Sequence, residues 1–168
     1  AGGKRAWIFT SATLSVGGDF AHFQSELGLA DAQTRHWESP YDFANQALLF
    51  VPEGLPEPNS AGHTEAVVEA AFPVIVAAGG RAFLLFTSLR AMDLGHARLK
   101  EKLAGAGLDW PVLLQGSAGK NELLERFRDT PNAILVGSQS FWEGVDVKGE
   151  ALSLVVIDKL PFNPPVDP

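Results

Sequence analysis

Hydroxyl, amide and glycine residues recur along this chain in short sets whose chemistry suits them to hold phosphate oxygens. The sets are Thr10-Ser11-Ala12-Thr13, Thr87-Ser88, Gln115-Gly116 and Gly137-Ser138-Gln139-Ser140, with the charged pair Asp158-Lys159 as a fifth. Hydroxyls and free backbone N–H groups at helix starts bind anionic oxygens without net positive charge. The alternative is that each hydroxyl only caps a helix. The stretch Leu135–Gly149 is the most informative: two serines flank Gln139, and Glu143-Gly144-Val145-Asp146 then sets a glycine between two carboxylates. Gly144 permits close backbone approach to a ligand, and the carboxylates of Glu143 and Asp146 could hold ribose hydroxyls or a water on Mg²⁺. A hairpin-like turn whose acids face solvent reads equally well from the same residues.

Other chemistries drop out. The segment Gly116-Ser117-Ala118-Gly119-Lys120-Asn121 looks like a phosphate loop, but that motif needs a glycine where Leu114 stands and Ser or Thr where Asn121 stands. No triphosphate cradle is encoded. His22, His36, His63 and His96 have no ligand spacing, so no metal site is expected and each reads as a surface residue. Trp7, Trp37, Trp110 and Trp142 read mostly as core candidates. Phe141-Trp142 could give a base something to stack on, with packing the favoured role for Phe141.

The elements that must position these sets follow an α/β rhythm. Strands are predicted at 5–10, 46–51, 81–86, 111–114, 133–137 and 152–157. Helices are predicted from Asp19 to a stop at Gly28, over 64–78 with a kink or shortening at Pro73, from the N-cap Ser88 through Met92, Leu94, Leu99 and Leu103, and over 120–128 with Leu123, Leu124 and Phe127 inward. Residues 39–43 read as a turn, Pro52 to Pro58 as a surface loop, and Gly79-Gly80 as a helix end. In an open parallel sheet, ligands bind outside the carboxyl ends of the strands, where the five sets fall.

The whole-chain numbers bound the partners. With 168 residues, 46% of them hydrophobic, the chain suits a single globular domain. Its 13 Lys+Arg against 20 Asp+Glu give a net charge of −7, so any contact with nucleic acid must come from a local site. The absence of cysteine removes disulfides, thiolate metal sites and cysteine nucleophiles, and suits a reducing compartment. No membrane span or signal peptide is visible.

Thr10 to Leu14, Leu84 to Ser88, Gln115-Gly116, Leu135–Gly149 and the run Val156 to Phe162 with Pro164, Pro165 and Asp167 together resemble the XPD/DinG group of superfamily 2 DNA helicases, most closely its DinG/YoaA subgroup. The resemblance covers essentially the whole chain in the right order. It implies an α/β fold of the RecA-like, P-loop NTPase type, with a mainly parallel sheet and helices on both faces. The chain would be the second, C-terminal RecA-like domain, spanning motifs III to V over 1–168 and truncated at both ends. By that likeness Thr87, Ser88, Gly116, Ser138 and Ser140 would face the DNA backbone. Glu143, Gly144 and Asp146 would face the nucleotide, with Glu143 and Asp146 in catalytic roles and Gly144 and Asp146 binding the cofactor. Thr10, Ser11 and Thr13, in motif III, would couple the two sites.

The family's Walker A loop, acidic Mg²⁺ box and four-cysteine iron–sulfur module are absent and expected upstream of Ala1. The motif VI arginines are expected downstream of Pro168. ATP and Mg²⁺ would then be shared with the first domain, a [4Fe-4S] cluster would belong to the parent protein, and the isolated piece would not hydrolyse ATP. The implied activity is an ATP-dependent helicase of the bacterial cytoplasm, moving 5′ to 3′ on single-stranded DNA in repair or replication restart. Its implied partners are the first domain and replication or repair proteins, with no membrane. Two further readings stand beside it: a helicase-like domain of an exonuclease, and a non-catalytic interaction module.

Overall fold

A computed structural model describes residues 6–142, 145–147 and 149–161. The chain divides into two compact units, Ala1–Phe50 and Val51–Pro168.

In the first unit, helix α1 (Ala21–Leu27) matches the sequence expectation of about two turns. Phe20 rather than the expected Asp19 is the N-cap and makes no side-chain cap bond; the Asp19 carboxylate accepts the Ala21 N–H at 2.8 Å from just outside the helix, and Gly28 stops it in the left-handed region at φ 64°. A short helix α2 (Phe43–Gln46) follows. The strands expected over 5–10 and 46–51 do not form: residues 6–10 and 47–51 are irregular, and Trp7, Ile8, Leu48 and Leu49 are exposed. Hydrophobic, β-branched composition proposes a strand, but a strand exists only where a neighbour takes its backbone hydrogen bonds. No described residue pairs with these segments. Trp7 and Trp37 are likewise exposed rather than in a core.

The second unit carries the sheet. Helix α3 (His63–Ala77) leads to strand β1 (Ala82–Leu85), helix α4 (Leu89–Gly105), strand β2 (Val112–Leu114), helix α5 (Lys120–Asp129), strand β3 (Ile134–Gly137) and strand β4 (Leu154–Ile157). All pairings are parallel and the strand order is β2-β3-β1-β4. Leu85 pairs with both Gly137 and Ile157, which brings the strand exits level along one edge.

Alternation along the central strands divides two cores. Ala82, Leu84, Phe86, Ile134 and Val136 face α3 and α4, meeting Val68, Ile75, Met92, Leu99 and Leu103. Phe83, Leu85 and Leu135 face α5 and its Leu123, Leu124 and Phe127, with the Phe83 and Phe127 rings edge to face at 4.7 Å. Side chains as fully buried as Phe86, Ile75 and Leu135 each contribute about 1.5–3 kcal/mol by leaving water. The domain is thus an α/β layer with helices on both faces. Leu94 is exposed on α4.

Pro73 leaves α3 continuous over 15 residues. The carbonyl it deprives of a partner is that of Glu69, one turn back on the same exposed side. Gly80 ends the turn after α3 at φ 74°, where an added Cβ would lie 2.3 Å from the Asn132 carbonyl oxygen. Gly80→Ala is therefore expected to destabilise the chain by about 2 kcal/mol. Gly105→Ala, with nothing within 4 Å of the added carbon, is expected to be close to neutral in urea denaturation.

Candidate nucleotide and nucleic-acid interface

The strand exits are built by distinct local devices. Beyond β1, Ser88 is extended and its Oγ accepts the Ala91 N–H at 3.2 Å, so this hydroxyl caps α4 while the residue stays exposed. Thr87, half-buried, turns inward: its Oγ1 is buried without a hydrogen-bond partner among the described residues. Beyond β2, Gly116 is exposed in a turn at φ 92°, a conformation that favours glycine.

Gln115 performs the positioning that the sequence reading assigned to no residue. Its Oε1 accepts the Ser138 N–H at 2.7 Å and lies 3.1 Å from the Ser138 hydroxyl, while its Nε2 lies 2.9 Å from the same Oγ. The Gln115 backbone N–H also donates to the Val136 carbonyl at 2.9 Å. Ser138 is buried, and the one amide pairs both its N–H and its hydroxyl, which are therefore not presented outward. The signal available in sequence was the placement of Gln115 and Ser138 just beyond two strands that become neighbours.

Ser140 remains exposed in the 3-10 turn Gln139–Phe141, and its carbonyl accepts from Lys120 Nζ at 2.6 Å. Phe141 is buried in the α5-side core, as its favoured packing role required. Val145 and Val147 pack against that same core, so the alternation leaves Asp146 exposed between them. Arg128 donates to the Asp146 carbonyl oxygen at 2.5 Å and ties this segment to α5. Glu143 and Gly144 lie outside the described residues, as do Phe162, Pro164, Pro165 and Asp167.

At the exit of β4, Asp158 is buried, and desolvation raises its carboxyl above the ordinary aspartate range. Hydrogen bonds from the Lys159 and Thr87 backbone N–H groups and the nearby Lys159 charge oppose that rise. His63, expected on the surface, is buried. Its Nδ1 lies 2.8 Å from the Pro56 carbonyl oxygen and its Nε2 3.1 Å from that of Asp158. A periodicity reading cannot see such a contact, because its partners lie 7 and 95 residues away.

The structure therefore brings Thr87, Ser88, Gly116, Ser138 and Ser140 to one edge of one sheet. Ser88, Gly116 and Ser140 are exposed there, with Thr87 and Ser138 turned in beneath them. Thr10, Ser11 and Thr13 lie in the first unit, where the Thr13 N–H donates to Ser11 Oγ at 3.2 Å in an exposed turn. Among the described residues no three His, Asp or Glu side chains converge as a metal requires.

The model of the helicase C-terminal domain matches residues 72–168. The chain is 47% identical over 165 residues to the ATP-dependent DNA helicase YoaA of Escherichia coli, covering 97% of this chain and 25% of that protein. It is 40% identical over 166 residues to the ATP-dependent helicase DinG of Mycobacterium tuberculosis, covering 96% and 24%. It is 32% identical over 172 residues to the 3′-5′ exonuclease DinG of Bacillus subtilis, covering 98% and 18%. The chain thus spans about a quarter or less of the length of these relatives.

Removing the Gln115 amide leaves the buried Ser138 N–H unpaired. Gln115→Ala is expected to cost about 1–3 kcal/mol in urea denaturation. Ser138→Ala, which keeps the Gln115 bond to that N–H, is expected to cost less.

Proposed function

We propose that this chain, which belongs to the helicase C-terminal domain family, works as the second RecA-like domain of a longer ATP-dependent DNA helicase. In this reading it supplies one wall of an ATP cleft and half of a single-stranded DNA track. The observation that carries it is the gathering of neutral hydroxyl, amide and glycine groups at one carboxyl edge of a parallel sheet, in a chain whose net charge is −7. Such groups hold a phosphate backbone by hydrogen bonds rather than by bulk charge.

The division of labour follows the order of the strand exits. Ser88, Gly116 and Ser140 meet the DNA backbone directly, while Thr87 and Ser138 sit beneath them, Ser138 joined to Gln115 of the neighbouring exit. Asp146, exposed between two core-packed valines, serves the nucleotide side, the role that the family likeness implies for Glu143 and Gly144 as well. Thr10, Ser11 and Thr13 link nucleotide state to DNA grip. ATP and Mg²⁺ are shared with a first RecA-like domain, which supplies the phosphate-binding lysine, and a [4Fe-4S] cluster belongs to the longer polypeptide, since this chain has no cysteine. Opening and closing of the cleft changes the grip on DNA and moves the protein 5′ to 3′. The setting is DNA repair or replication restart in the bacterial cytoplasm, with replication or repair proteins as partners. No described helix is long and apolar enough to cross a membrane.

The likeness to a protein named as an exonuclease favours a second reading, in which the same domain serves a nuclease. One assay separates the two. The full-length polypeptide is expected to hydrolyse ATP at a rate stimulated by single-stranded DNA. Asp146→Ala is expected to lower the stimulated rate at least tenfold, and the 168-residue chain alone to be inactive. DNA degradation without ATP-dependent unwinding would favour the nuclease, and no DNA-stimulated hydrolysis would overturn the helicase reading.

A further inference from the structure

The exits of β1, β2 and β3 offer mostly neutral groups, and a polyanion held by neutral groups alone leaves its phosphate charge uncompensated. The register of β4 points to where a compensating cation stands. Ile157 pairs with Leu85, and the Asp158 N–H donates to the Leu85 carbonyl at 3.1 Å. Two residues past the paired position on each strand are Lys159 and Thr87, and the Thr87 backbone N–H donates to the Asp158 carboxylate, so Lys159 leaves the sheet beside the Thr87-Ser88 turn.

The Lys159 charge attracts the nearby Asp158 carboxylate, but the ammonium is held by a neutral group. Its Nζ donates to the side-chain oxygen of Asn59, a neutral acceptor, and no carboxylate among the described residues forms an ion pair with it. The neighbouring Asp158 carboxylate is turned into the sheet end, where it accepts the Lys159 backbone N–H at 2.8 Å. Asn59 is itself fixed. It adopts φ 72° in a turn in which the Ser60 N–H donates to the Glu57 carbonyl at 3.0 Å. The loop bearing that turn is tied to the β4 exit by His63, which bridges the Pro56 and Asp158 carbonyls. A lysine on a free surface loses much rotamer freedom when it binds, whereas this one is already directed by the loop. Lys120, the other lysine at this edge, is occupied in holding the Ser140 carbonyl.

We propose that Lys159 is a phosphate-contacting residue of the DNA track, and that Asn59, on the loop clasped by His63, is its positioning residue. This rests on the nucleic-acid reading above and adds to it a cationic contact at the β4 exit. Lysine meets a phosphate as a point charge, so its contribution depends on salt and not on base sequence.

The test measures binding of a fluorescent oligo-dT by the full-length polypeptide across a salt series. Lys159→Ala is expected to weaken binding at low salt about fivefold and to make the log Kd against log salt slope shallower by about 0.7. Lys159→Arg is expected to keep that slope, and Lys100→Ala, on the exposed side of α4, to match the unaltered protein. Asn59→Gly suits the positive φ while removing the amide. It is expected to weaken binding with Lys159 present and to add nothing in the Lys159→Ala background. Unchanged affinity and slope in Lys159→Ala, with the unaltered protein binding oligo-dT, would overturn this assignment and leave the broader reading standing. An unaltered protein that fails to bind oligo-dT at any salt would overturn both.

Discussion

Parallel pairing is the constraint on which the rest of this structure depends. A parallel strand cannot return by a tight turn, so each connection must cross the sheet through a helix or a long loop. The crossovers α4 and α5 lie on opposite faces, and each needs an apolar face of the sheet to cover. The same constraint places every strand exit at one edge. Leu85, Gly137 and Ile157 stand level there, so residues distant in sequence become neighbours without any contact having to specify it. What remains for side chains is to fix the loops: Gln115 holds Ser138, Lys120 holds the Ser140 carbonyl, Arg128 holds the Asp146 carbonyl, and His63 holds the β4 exit.

Charge then divides between the edge and the remainder of the surface. An Arg98-Glu69-Lys102 network with Glu101 joins α3 to α4 on the outer side, and its salt bridges lower the Glu69 carboxyl below its ordinary range. Exposed pairs of this kind contribute little to stability, but they keep opposite charges matched away from the strand exits. At the exits the groups are mostly neutral, apart from lysines directed by oxygen acceptors, the exposed Arg90 in the first turn of α4, the exposed Asp146 and the buried Asp158. An acidic protein can engage a polyanion when its cations are few and local.

Much of the second unit was legible in sequence because its signals are local. Continuous apolar runs such as Ala82 to Phe86 mark strands covered on both faces, and Ser88 caps α4 as its position required. The exits of the strands followed from those boundaries, and with them the set Thr87, Ser88, Gly116, Ser138 and Ser140. Three things were not legible. The apolar segments near Trp7 and Leu48 have strand composition without strand partners in the described chain. Burial of His63 depends on carbonyls supplied by a loop and a strand far apart in sequence. The inward turn of Thr87 and Ser138 depends on which neighbour each strand acquires, which composition does not encode. The family likeness supplied residue roles that patterning alone left divided between capping and binding.

The central claim is that the carboxyl edge of this sheet is the face that meets nucleic acid. Hydrogen–deuterium exchange of the full-length polypeptide, with and without single-stranded DNA, tests it most directly. The account predicts slowed exchange in residues 87–90, 115–120, 138–142 and 158–161, with no change at the opposite edge in residues 105–110 and 130–133. Protection at the opposite edge, with the strand exits unchanged, would contradict it.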